Sequence, residues 1–70
     1  MKVKFICELT DELQSELRDE AIEVMKEHTL YSMDEIMDIV DNYVMNEKLI
    51  NVVGYEDGLL NPEKWMKYII

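Results

Sequence analysis

Apolar and polar positions alternate at the start of the chain: in KVKFICEL, Val3, Phe5, Cys7 and Leu9 fall on one side, and Lys2, Lys4, Ile6 and Glu8 on the other. A period of two predicts a strand with one buried face. Thr10 then offers an N-cap hydroxyl, and Asp11 and Glu12 put negative charge where the helix dipole favours it, so a helix over about Asp11 to His28 is expected. At 100° per residue, Leu13, Leu17, Ala21, Val24, Met25 and His28 share one arc of that helix. Ser32 with Glu35 three residues on forms a capping box that opens a second helix, running to about Asn46. Met33, Ile36, Met37, Val40, Tyr43 and Val44 share its apolar face, and Asp34, Glu35, Asp38 and Asp41 lie opposite. In LINVVGYEDGLL, β-branched residues cluster ahead of Asp57-Gly58, a dipeptide that suits a tight hairpin turn. Asn61-Pro62 opens a short terminal helix. The pattern predicts one compact α+β domain over residues 1–70: strand, two amphipathic helices, short β-hairpin, short helix.

Charge changes this picture most along the first helix. Glu12, Glu16, Asp19, Glu20, Glu23 and Glu27 fill an arc next to the apolar one. Six like-charge pairs at spacings of three or four cost an isolated helix on the order of 1–3 kcal/mol at low salt, less when screened. A plain solvated face usually mixes signs, and here only Glu23 with Lys26 looks favourable. Residues 8–47 hold thirteen of the sixteen acids and two of the seven bases, so the net charge of −9 is concentrated in the middle of the chain. Nucleic acid is a poor ligand for such a surface, and a basic protein surface is a better match. The six acids span about 22 Å of helix axis, one per ~4.5 Å, near the ~3.4 Å phosphate spacing of one DNA strand. The expected partner-binding residues are these six, with Asp34, Asp38 and Asp41 of the second helix. Reversing Glu16, Glu20 and Glu23 to Lys is expected to leave the fold intact and abolish binding.

At 70 residues the chain buries only about 60% of the surface of its unfolded form. A lone Cys7 provides no disulfide staple, so packing alone, or packing against a second copy, must hold the fold. No apolar run approaches the ~18 residues of a membrane span, and the acidic turn after KVKFIC predicts no signal peptide, hence a cytoplasmic protein. Trp65, Met66, Tyr68, Ile69 and Ile70 crowd the last six positions. They predict a tail docked on the core, with Trp65 and Tyr68 as the candidate hydrophobic anchor for a partner.

Chemistry finds little footing. Cys7 is expected on the apolar side of the strand as inert packing, and His28 suits a helix C-terminus. One His and one Cys make no zinc site, and the acids lack the spacing and central glycine of a calcium loop. No phosphate-cradling glycine loop is present. Neither cofactor nor metal nor enzymatic activity is expected.

In size and composition the chain resembles small acidic inhibitors encoded by phages and mobile elements, including some anti-CRISPR proteins. That resemblance implies an inhibitor or adaptor acting as a nucleic-acid mimic on a nucleic-acid-handling protein. Over residues 2–46, KVKFICELTDEL followed by YSMDEIMDIVDNYV also resembles the ribbon-helix-helix DNA-binding pattern in element order. That alternative implies an intertwined homodimer with Lys2, Lys4 and Ile6 directed at the major groove. A winged-helix domain with the Asp57-Gly58 hairpin as wing is a weaker third reading.

Overall fold

The computed structural model describes residues 1–54 and 59–70. Its largest element is α1, Asp11–His28, which starts where the sequence places it because Thr10 Oγ1 accepts the Leu13 N–H at 3.2 Å. Leu17, Ala21 and Met25, four apart, carry its buried line, with Leu13 and Ile22 partly buried beside it. The helix stops at Thr29, whose N–H and hydroxyl both donate to the Met25 carbonyl, at 2.9 and 2.7 Å.

Next comes α2, Met33–Asn42, opened by the expected capping box: Ser32 Oγ accepts the Glu35 N–H at 3.2 Å, and the Glu35 carboxylate accepts the Ser32 N–H at 3.4 Å. The short connection folds α2 back along α1, and the Arg18–Asp41 ion pair fixes the antiparallel register. Ile36, Val40 and Val44 form its buried line. The helix ends four residues earlier than its apolar pattern suggests. Tyr43 departs from α geometry (φ −118°, ψ −58°), Val44–Asn46 tighten into a 3-10 turn, and Asn46 Nδ2 donates to the Asn42 carbonyl at 2.9 Å. Met33, Met37 and Tyr43, expected on the buried face, are exposed.

Two one-turn helices complete the core: α3, Leu49–Val52, and α4, Pro62–Trp65, the latter running into a 3-10 turn at Met66–Tyr68. Asn61 caps α4 by accepting the Glu63 N–H at 3.0 Å, with Pro62 in the first turn where no N–H is missed. Leu49, Val52, Val53, Leu60 and Trp65 join the buried residues of α1 and α2 in one cluster.

The expected α+β class is wrong. Helical turns hold 68% of the described residues, and no strand occurs among them. The N-terminal segment contributes only single bridges, Val3 with Ile69 and Phe5 with Lys48, before winding into a 3-10 turn at Ile6–Glu8. There the buried positions are Val3, Ile6 and Leu9, a period of three; Ile6 is 0% exposed, while Cys7 and Phe5 face outward. A turn of three residues puts i and i+3 on one side, so the apparent alternation was coincidental.

LINVV fails as a strand for a related reason. Leu49 and Val52, three apart, are both buried when the segment makes one helical turn, and packing overrides a weak β preference. The Asp57-Gly58 turn lies outside the described residues. Its described flanks, Val53 and Leu60, make a single parallel bridge.

The period of three has a direct check. Ile6→Ala is expected to cost about 2–5 kcal/mol, and Cys7→Ala to stay within ~0.5 kcal/mol, both read from urea denaturation. The reverse ranking would restore the alternating strand.

Candidate acidic interface

The carboxylates of α1 separate into two groups once the fold is in place. Glu16 and Glu20, one turn apart, face the segment that leads into α4. Glu20 Oε2 accepts two hydrogen bonds, from the Trp65 indole Nε1 at 3.0 Å and the Asn61 backbone N–H at 3.1 Å. Glu16 Oε2 pairs with Lys64 Nζ at 3.1 Å, and the same ammonium lies 5.1 Å from the Trp65 ring centre. These two side chains are therefore an internal seat for the C-terminal segment. Their reversal to Lys would disturb the fold, contrary to the sequence-based expectation.

Glu12, Asp19, Glu23 and Glu27 are the exposed remainder. Glu23 pairs with Lys26 at 3.5 Å, an exposed contact worth about 0–1 kcal/mol. Glu12 and Glu27 have no ion-pair or hydrogen-bond partner among the described residues. Asp19 acts on Arg18 only as a neighbouring charge. On α2, Asp38 accepts the Asn42 side-chain N–H at 2.8 Å, and exposed Asp34 has no partner among the described residues.

Asp41 belongs with the structural acids. Its two oxygens accept from Arg18 Nε at 2.7 Å and Nη2 at 3.2 Å, a two-point contact between the helices. The hydrogen bond from Arg18 holds the Asp41 carboxyl below its ordinary 3.8, outweighing slight desolvation. The same bond raises the Arg18 guanidinium above its ordinary value.

Trp65 is 0% exposed and takes its place in the core, so as folded it offers no surface to a partner. Tyr68 is half-buried against it, ring centres 5.8 Å apart, with Lys67 5.3 Å over its ring. The tail docks as the sequence suggested, and its exposed apolar side chains are Met66 and Ile70.

Four of the seven bases gather where the N-terminal segment meets Lys48 and the tail. Lys2 and Lys4 flank Val3, whose N–H and carbonyl pair with Tyr68 and Ile70, and Lys4 offers its carbonyl to Leu49 N–H at 2.9 Å. This brings Lys48 and Lys67 to the same junction. The N-terminal segment thus has both edges paired within its own chain, which leaves no free ribbon for a second copy.

Catalytic constellations are not found among the described residues. Cys7 and His28 are both exposed and far apart in sequence on separate elements, and no group of three potential ligands could hold a metal ion. An open apolar hollow of about 280 Å³ is lined by Val24, Met25, His28, Thr29, Ile39, Val44 and Leu59. The Thr29 hydroxyl is already committed to Met25. No helix among the described residues is long and apolar enough to cross a membrane.

Two measurements check these assignments. Glu20→Ala is expected to lose about 1–3 kcal/mol by leaving the indole N–H without its acceptor, while Glu12→Ala stays within ~0.5 kcal/mol. Because the folded Asp41 value is lowered, its contribution is complete above pH 3.8 and fades as pH falls through the folded value. The stability gap between the parent protein and Asp41→Asn should thus be constant above that pH and shrink below it. Compared with protein-family models, curated proteins and solved structures, the chain matches none.

Proposed function

We propose that this protein is a binding module whose exposed acids on α1 and α2 dock on a basic surface of another protein, acting as an inhibitor or adaptor. The observation that carries this reading is the residue of charge left after internal partners are counted. Glu16, Glu20 and Asp41 serve the fold, and Glu12 and Asp34 complement the dipoles of their helices in a first turn, but Glu27 has no internal partner among the described residues and Asp19 gains only the nearby Arg18 charge. Like charges along a helix are unfavourable by a few tenths of a kcal/mol per pair. In a domain of 70 residues with little stability to spare, retaining them is best accounted for by a use outside the molecule.

A positively charged groove that handles nucleic acid is the surface type this row complements: Glu12, Asp19, Glu23 and Glu27 share one arc of α1, on average about 7.5 Å apart along the axis, roughly twice the phosphate spacing of one strand. The mimic would compete with nucleic acid for the groove rather than bind nucleic acid itself.

Neutralising Glu12, Asp19 and Glu27 to the matching amides removes charge and keeps shape. Affinity for a protein recovered with the parent chain at low salt should fall at least tenfold, and the slope of log Kd against log salt should flatten. Unchanged affinity and slope in a variant with the parent circular dichroism spectrum would reject the acidic row as the contact. Displacement of the bound chain by DNA or RNA oligonucleotides separates a mimic from a ligand that binds elsewhere.

A further inference from the structure

The acids are not the only exposed feature of the α1–α2 pair. Leu30 is fully exposed, Tyr31 is 52% exposed, and Met33 and Met37, one turn apart, are 43% and 37% exposed. Counting back from Arg18–Asp41 along two antiparallel helices places half-buried Ile22 of α1 opposite Met37. Ile22, Met33 and Met37 thus lie along the boundary between α1 and α2, and Leu30 and Tyr31 stand exposed in the connection at its end; together they make up an exposed apolar stripe on this helix pair. Its methionines are not needed by the core, since Ile36, Val40 and Val44 already fill the buried line on their side, whereas Ile22 packs partly against it.

Its outer margins are acidic, and the two cations one turn either side of Ile22, Arg18 and Lys26, are each paired to an acid. Outward from the methionines on α2 come Asp34 and Asp38, and outward from Ile22 on α1 come Asp19 and Glu23. Residues 22–38 hold five acids against one lysine, a balance of −4, and that lysine, Lys26, is engaged by Glu23. An apolar strip between two acidic margins is the complement of a helix with an apolar face flanked by Lys and Arg. Methionine suits the floor of such a site, because its unbranched, polarisable side chain adapts to the shape laid on it. An anionic membrane would be repelled by these margins, and a second copy would bring its own acids against them.

We propose that the stripe formed by Ile22, Leu30, Tyr31, Met33 and Met37 receives a basic amphipathic helix of a partner protein. This deepens the proposed function and rests on it: the acids supply attraction and orientation, and the stripe supplies the desolvated contact. The two can be separated with defined probes. One is a synthetic 14-residue Leu/Lys peptide patterned as an amphipathic helix; the other has the same composition in a scrambled order without an apolar face.

The amphipathic peptide should bind the parent protein at least tenfold tighter than the scrambled one, and the advantage should persist in 0.5 M salt. Leu30→Ser with Tyr31→Ser, at positions outside the core, should abolish that advantage, as should Met33→Ser with Met37→Ser, each checked by circular dichroism. Equal binding of both peptides, sensitive to salt and indifferent to these substitutions, would overturn the stripe and leave the acidic row standing. Binding of neither peptide at low salt would remove the basic-partner reading itself. A dimer in sedimentation that Leu30→Ser dissociates would assign the stripe to a second copy and overturn the proposal.

Discussion

One carboxylate oxygen decides how this small core closes. Trp65 is among the largest fully buried side chains, and its indole N–H would be stranded among aliphatic groups without an acceptor. Glu20 reaches from α1 to take that hydrogen, and with the same oxygen holds the Asn61 N–H at the start of α4. This acceptor makes burial of the ring more favourable, because an unmet donor would offset part of what the apolar area contributes. Glu16 adds a looser tie through Lys64, whose charge also lies over the ring. With Trp65 seated, residues 66–70 are brought to the N-terminal segment, where Val3 pairs on both its N–H and its carbonyl. The two ends of the described chain are thus joined through a contact that begins on the middle of α1.

That arrangement also answers what lines up carboxylates along α1. Part of the row is structural, since a helix that must seat a capped segment and an indole benefits from acceptors one turn apart. The like-charge cost at Glu16 and Glu20 is offset by donors and a cation from a distant segment. Glu12 gains only its place in the first turn, Asp19 gains only a neighbouring charge, and no such offset reaches Glu27. A single pattern in the sequence therefore holds two kinds of residue, distinguishable only by what folds against them.

The legible parts of the sequence were those governed by local rules. Thr10 and Ser32 act as N-caps where expected, α1 has its expected ends, and the Asn61-Pro62 start of α4 is as read. Each depends on contacts within four residues. The N-terminal segment was misread because Val3, Phe5, Cys7 and Leu9 satisfy a period of two by type, while Val3, Ile6 and Leu9 equally satisfy a period of three. Only the pairing of residues 3–6 with 47–49 and 68–70 decides between them. LINVV was misread because composition favours strand where one helical turn buries Leu49 and Val52 better. For the site, the acidic arc was visible at once. Its division was hidden, because Glu20–Trp65 and Glu16–Lys64 span more than 40 residues and leave no local signal.

The methionines show the same limit from the other side. Helical spacing put Met33 and Met37 with Ile36 and Val40, and on the wheel they are indeed neighbours. A domain this small, however, has too little interior to cover an arc that wide. The narrower line of Ile36, Val40 and Val44 is what α1 covers, and the flank beyond it stays in solvent. An amphipathic pattern broader than its intramolecular partner leaves a remainder, and here the remainder is apolar, close in sequence to exposed Leu30 and Tyr31, with acids along its outer margin. Scattered exposed apolar residues need no explanation. An exposed apolar stripe with acidic outer margins defines both the polarity and the pattern of what would cover it.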